Sequence, residues 1–121
     1  MSKFVVRKAA SGFKFDLRAV NGQTVATSEV YGALSGCLKG IESVRRSAPV
    51  AALEDQTVPG FKTASHPKFE LFLDKAGEYR FRLKARNGKI VGTSEGYTSK
   101  AGCLNGIESV MKNAALAETE E

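Results

Sequence analysis

The side chains able to do chemistry in this chain are few. Its 121 residues hold one histidine, His66, and two cysteines, Cys37 and Cys103. General acid–base or nucleophilic catalysis needs a nucleophile, a base and an orienting group that converge. His66 sits alone in "SHP" and reads as a solvated loop residue. The cysteines lie neither in a Cys-x-x-Cys spacing nor beside a histidine, so they carry no zinc or redox signature and read as small apolar core residues. A Walker loop and a Rossmann glycine fingerprint are absent. No catalytic residue, cofactor or metal ligand is therefore expected, and an enzyme is the least favoured class.

Two polar sets remain. The first is Thr-Ser-Glu-x-x-Tyr, written twice, which could form a polar pocket for a small ligand or peptide from Ser28, Glu29 and Tyr31 with Ser94, Glu95 and Tyr97. The same residues suit a corner between strand and helix, where serine satisfies loose backbone amides and tyrosine packs on a sheet; that reading is favoured. The second set is Arg80, Arg82, Lys84 and Arg86, alternating with Tyr79, Phe81, Leu83 and Ala85. With Lys14 and Arg18 these cations would make a basic outer sheet face able to track a phosphate backbone. No outward aromatic residue is interleaved for base stacking, so a solvated, aggregation-resistant face is favoured over a nucleic-acid surface.

The elements that must position these residues come in two copies. Sliding the chain along itself pairs Phe15 with Phe81, Asn21-Gly22 with Asn87-Gly88, Thr27-Ser28-Glu29 with Thr93-Ser94-Glu95, and Tyr31 with Tyr97. The match runs on through Gly36-Cys37-Leu38 with Gly102-Cys103-Leu104 and Gly40 to Val44 with Gly106 to Val110. Two copies are too few for a solenoid, so a single pseudo-symmetric domain is expected. Each copy predicts three strands and a helix. Period-two alternation marks the strands, Asn-Gly predicts a two-residue type I′ hairpin, and Cys37, Ile41, Val44 and Ala48 form one apolar helical stripe repeated by Cys103, Ile107, Val110 and Ala114. Thr98 or Ser99 can cap the second helix, whereas Gly32 and Ala33 leave the first uncapped. Gly40 and Gly106 each cost their helix about 1 kcal/mol, which implies close packing there by a strand or the other helix. The expected boundaries are residues 3–48 for repeat one, a linker at 49–67 with a short extended piece around Thr57 to Lys62, residues 68–114 for repeat two, and a frayed acidic tail at 115–121.

Composition sets the outer limits. With 42% hydrophobic and 26% charged residues the chain can bury a modest core unaided. No apolar run approaches the roughly 18 residues of a membrane span, and the start lacks the pattern of a secretory signal, so a cytoplasmic protein without a membrane partner is expected. A net charge of +5 favours anionic partners only weakly.

The Asn-Gly hairpin, the Thr-Ser-Glu-x-x-Tyr segment and the Gly-Ile-x-Ser-Val helix together resemble the YegP-like family of small proteins of unknown function. The resemblance implies an α+β fold of two tandem β-β-β-α(-β) repeats. They would form one pseudo-twofold antiparallel sheet with the helices on one face, the repeats exchanging their last strands. It implies a monomer built as its own dimer, with an exchanged strand near Val58 to Phe61, and it transfers no activity. The expected function is thus a small non-catalytic interaction protein that uses its open sheet face or sheet edge to bind a protein or peptide. Nucleic-acid binding through the basic face is the alternative.

Overall fold

The computed structural model describes residues 2–121. Repeat one runs β1 (Lys3–Ala9), β2 (Gly12–Arg18), β3 (Thr24–Thr27), α1 (Leu34–Ser47) and β4 (Ala52–Asp55). Repeat two runs β5 (Lys68–Leu73), β6 (Tyr79–Lys84), β7 (Ile90–Thr93), α2 (Lys100–Asn113) and β8 (Glu118–Glu120). All eight strands form one sheet in the order β4-β5-β6-β7-β3-β2-β1-β8. The repeats meet where Thr27 of β3 pairs with Thr93 of β7, their equivalent residues. The inner six strands pair antiparallel, whereas each repeat's last strand crosses over and pairs parallel with the other repeat's first: β4 with β5, β8 with β1.

Alternation decides which way each strand faces. Phe4, Phe15 and Leu17, with Phe69, Leu71, Phe81 and Leu83, point to one face and are at most 2% exposed. Both helices cover that face with Cys37, Ile41 and Val44 and with Cys103, Ile107 and Val110, all in one core cluster. Burial of each such phenylalanine or leucine is worth about 1.5–3 kcal/mol. Half of this structure could not collect it alone, because α1 packs on β2 and also on β6 and β7 of the other repeat, while α2 packs on β6 and on β3.

Four local features depart from the sequence reading. The exchanged strand lies at Ala52–Asp55, not near Val58 to Phe61, because Phe61 N donates to Val58 O and Gly60 takes φ +73°, turning that segment back. The acidic end is also strand: Glu118–Glu120 lies beside Lys3–Val5, and Lys3 Nζ reaches Glu120 Oε1 at 2.9 Å. The Asn-Gly hairpins are not type I′, for only the glycines have positive φ, +84° at Gly22 and +82° at Gly88. Gly22 N donates to Ala19 O and Ala19 N to Gln23 O, giving a three-residue loop whose glycine takes the left-handed position. Asn21 Oδ1 accepts from Gln23 N at 3.0 Å, and that local bond holds the asparagine at negative φ.

The fourth concerns the helix glycines. A strand does pack there, for a Cβ would lie 3.2 Å from Phe15 of β2 at Gly40 and from Phe81 of β6 at Gly106, but a tyrosine from the corner comes closer still, and the other helix takes no part. A Cβ on Gly40 would lie 2.3 Å from Tyr31 Oη, and one on Gly106 2.3 Å from Tyr97 Oη. Each glycine is the seat of its own repeat's tyrosine. Helix capping follows the sequence: Ser99 Oγ accepts from Gly102 N at 3.0 Å, whereas Ala33 caps α1 with no side-chain bond.

Candidate functional site

The outer sheet face carries Arg80, Arg82 and Lys84, but not as an open basic stripe. The register sets Glu70 of β5 opposite Arg82 and Phe72 opposite Arg80. Arg82 Nε donates to Glu70 Oε1 while its guanidinium lies 4.5 Å from the centre of the Phe72 ring. Lys84 Nζ is 3.2 Å from Glu70 Oε2, and Arg80 Nε donates to Asp74 Oδ2 at 2.6 Å. Lys68 joins the network from within, 2.7 Å from Glu54 and 3.2 Å from Glu70. Burial pushes the Glu54 carboxyl up, but bonds from Lys68, Gln56 and the Ala64 amide outweigh it and hold the group at about 2. Burial likewise opposes ionisation of Glu70, and Arg82, Lys68 and Lys84 overcome it. In repeat one Arg7 and Thr27 both bond to Asp16, so Arg7 is paired too. Lys14 and Arg18 form no ion pair among the described residues, and Arg18 Nε is buried without a partner.

The two Thr-Ser-Glu-x-x-Tyr segments form two equivalent corners. Ser28 Oγ accepts from Phe15 N at 2.9 Å and donates to Glu29 O at 2.7 Å; Ser94 does the same with Phe81 N and Glu95 O. Both serines are buried and occupied with backbone. Tyr31 pairs with Phe13 through two backbone bonds and stacks at 6.4 Å on Phe15; Tyr97 likewise pairs with Tyr79 through backbone and stacks at 6.5 Å on Phe81. Burial raises both phenols above their ordinary range. Glu29 and Glu95 remain exposed.

The geometry instead joins parts of both sets in a groove between α1 and the β6–β7 hairpin of the other repeat. One section, about 770 Å³, is lined by Glu29, Tyr31, Lys39 and Gly40 on one side and by Lys84, Gly88 and Lys89 on the other. It continues past Ser43 and Asn87 into a section of about 520 Å³ bounded by Arg46, Ser47 and Arg86. Arg86 therefore leaves the sheet face for this groove, and neither Ser94, Glu95 nor Tyr97 lines it. Lys39, Arg46, Arg86 and Lys89 are exposed and form no ion pair among the described residues.

The sequence reading missed Lys39, Arg46 and Lys89 as site residues. Their signal lay in the differences between the copies. Repeat symmetry places Asn105, Lys112, Val20 and Gln23 where the groove has Lys39, Arg46, Arg86 and Lys89.

Comparison with known proteins places the chain. Residues 9–55 and 74–121 each match the family described as "Domain of unknown function (DUF1508)". A UPF0339 protein from the ptx operon 5′ region of Stutzerimonas stutzeri is 39% identical over 112 residues, covering 93% of this chain and 87% of that protein. A UPF0339 protein of Methanosarcina acetivorans is 60% identical over 50 residues, 41% of this chain but 86% of the relative, which is thus about one repeat long. The solution structure of YegP from E. coli, a protein of unknown function, matches with a TM-score of 0.80 and 30% identity, covering 98% of this chain and 90% of that one. A duplicated sheet-and-helix unit with exchanged end strands, matched twice by one family, makes this chain a two-repeat member of the DUF1508 family, the UPF0339 or YegP-like proteins.

Proposed function

We propose that the protein is a non-catalytic binding module, monomeric, whose ligand lies in the groove between α1 and the second repeat's hairpin. The observation that carries this reading is the distribution of charge. The outer-face cations Arg80, Arg82 and Lys84 are held by carboxylates, whereas Lys39, Arg46, Arg86 and Lys89 surround a concave groove without acidic partners of their own. A groove of this size with a few convergent polar groups has the form of a ligand site. The open sheet face and the sheet edges have less support as docking surfaces for a protein or peptide. Apart from Lys14 and Arg18 the face is internally paired, and the edge strands β4 and β8 carry Glu54, Asp55, Glu118 and Glu120, charges that discourage strand addition. Nucleic-acid binding across the outer face draws only on Lys14 and Arg18 as unpaired cations and predicts a correspondingly shallow salt dependence.

A fragment screen read by amide chemical shifts tests the reading. Hits that move Gly36, Gly40, Ser43 and Gly88 support it. Hits confined to outer-face residues such as Thr27 and Thr93, or no hits, overturn it.

A further inference from the structure

The two repeats offer an internal comparison. Around the groove they keep the same floor: Tyr31, Gly40, Ser43 and Asn87 recur as Tyr97, Gly106, Ser109 and Asn21. Those residues serve the fold, since the tyrosine needs its glycine seat and the asparagine its turn. The charges do not recur. Of the four positions that bear unpaired cations at this groove, the other repeat fills three with Asn105, Val20 and Gln23, and the fourth, Lys112, is tied to Glu108 at 2.6 Å. The fold is therefore satisfied without these cations.

Their placement gives the chemistry. Lys39 and Arg46 are seven residues apart on α1, two turns, so about 10 Å separates them along the helix axis. Lys89 and Arg86 stand on the facing hairpin, which makes two cationic ends, each with one group from either wall. The arginine end also holds Ser43 and Asn87, and a planar guanidinium takes a phosphoryl group through paired donors. Glu29 is the carboxylate lining the lysine end; Glu42, on the outer flank of α1, is engaged by Arg45. Four cations against the single Glu29 leave the concave walls predominantly positive, and such walls concentrate an anion. Tyr31 is the lining aromatic, and its hydroxyl is wedged against Gly40, so no ring is offered for base stacking.

Resting on the groove reading above, we propose that this groove binds a small metabolite carrying two phosphoryl groups about 10 Å apart, one at the Lys39–Lys89 end and one at the Arg46–Arg86 end. The test is an amide-shift titration of the full chain with fructose 1,6-bisphosphate as the probe, inorganic phosphate as the single-anion arm, and the variants Lys39→Gln, Arg86→Gln and Lys112→Gln. The bisphosphate should move amides on both walls and bind about tenfold more tightly than phosphate. Lys39→Gln and Arg86→Gln should each weaken it about tenfold, the loss of one charge-assisted contact, and Lys112→Gln should leave it unchanged. All three replaced side chains are exposed, and Lys39 and Arg86 form no ion pair among the described residues; unchanged spectral dispersion checks that the variants fold. Absence of saturable shifts, equal affinity for phosphate and bisphosphate, or indifference to the groove variants would overturn the proposal. Fragment hits that still map to the groove would then leave the binding-module reading standing.

Discussion

Replacing Lys68 by methionine tests the logic of the exchanged strands. Lys68 Nζ joins Glu54 of β4 to Glu70 of β5, and its side chain is 5% exposed. The equivalent pair in the other half, Lys3 with Glu120, is 47% and 57% exposed. Removing one partner of a buried pair leaves a charge stranded, about 3–5 kcal/mol in general. Glu54 limits the figure here. Its carboxyl lies near 2 instead of the ordinary 4.5, a difference worth about 3 kcal/mol shared among all its partners. Because Gln56 and the Ala64 amide remain and water screens the sheet surface, Lys68→Met should cost about 2 kcal/mol at pH 7. Lys3→Met should cost under about 0.5 kcal/mol. Urea unfolding followed by circular dichroism measures both. The pH dependence supplies a second check. A carboxyl depressed in the folded state stabilises above its unfolded pKa, and that contribution is lost as pH falls from about 4.5 towards 2. In Lys68→Met the loss should still begin near 4.5, set by the unfolded chain, but it should be smaller and end at higher pH, because the folded carboxyl is less depressed. Equal costs for the two variants, or an unchanged acid profile, would refute the assignment of Lys68 as the buried link.

Gly40→Ala and Gly106→Ala should each destabilise by about 1–3 kcal/mol despite the better helix former, since the new methyl displaces a tyrosine ring; Gly36→Ala, whose Cβ would meet nothing nearer than 3.5 Å, should stabilise. Calorimetric melting temperatures rank the three. Ala33→Ser should add a cap worth about 1 kcal/mol and raise amide-exchange protection in the first turn of α1 towards that of α2, where Ser99 already caps. Burial pushes the Cys103 thiol up to about 11 and raises that of Cys37, so both should resist a thiol reagent at pH 8 until denaturant is added; rapid native reaction of either would contradict their packing.

Hairpins and helices were legible because each declares its own period: Tyr79 to Ala85 alternate, and Cys103, Ile107 and Val110 return every three or four residues. The exchanged strands were not, since "ALED" and "ETE" are only 4 and 3 residues long with Thr119 as their one β-branched residue, and parallel edge pairing is set by distant partners. The tyrosine seats could have been found from spacing alone, for Tyr31 precedes Gly40 by the same interval as Tyr97 precedes Gly106. The basic stripe misled because charge was counted along one strand. Folding the hairpin back over Asp74 to Gly77 puts Glu70 beside Arg82, and the apparent stripe becomes a network. The groove was the least legible feature, as its walls come from different repeats.

Mapping the surface potential directly tests the account's central claim, that unpaired positive charge gathers in that groove and not along the Arg80 to Lys84 strand. Titration with the trianionic paramagnetic complex tris(oxalato)chromate(III) broadens the amides nearest to positive potential and requires no knowledge of the natural ligand. Broadening should be strongest at Lys39, Ser43, Arg46 and Arg86 to Lys89, and weak at Arg80, Arg82 and the symmetry-related Asn105, Ser109 and Val20 to Gln23. Strongest broadening along Arg80 to Lys84, or equal broadening in the two repeats, would contradict it.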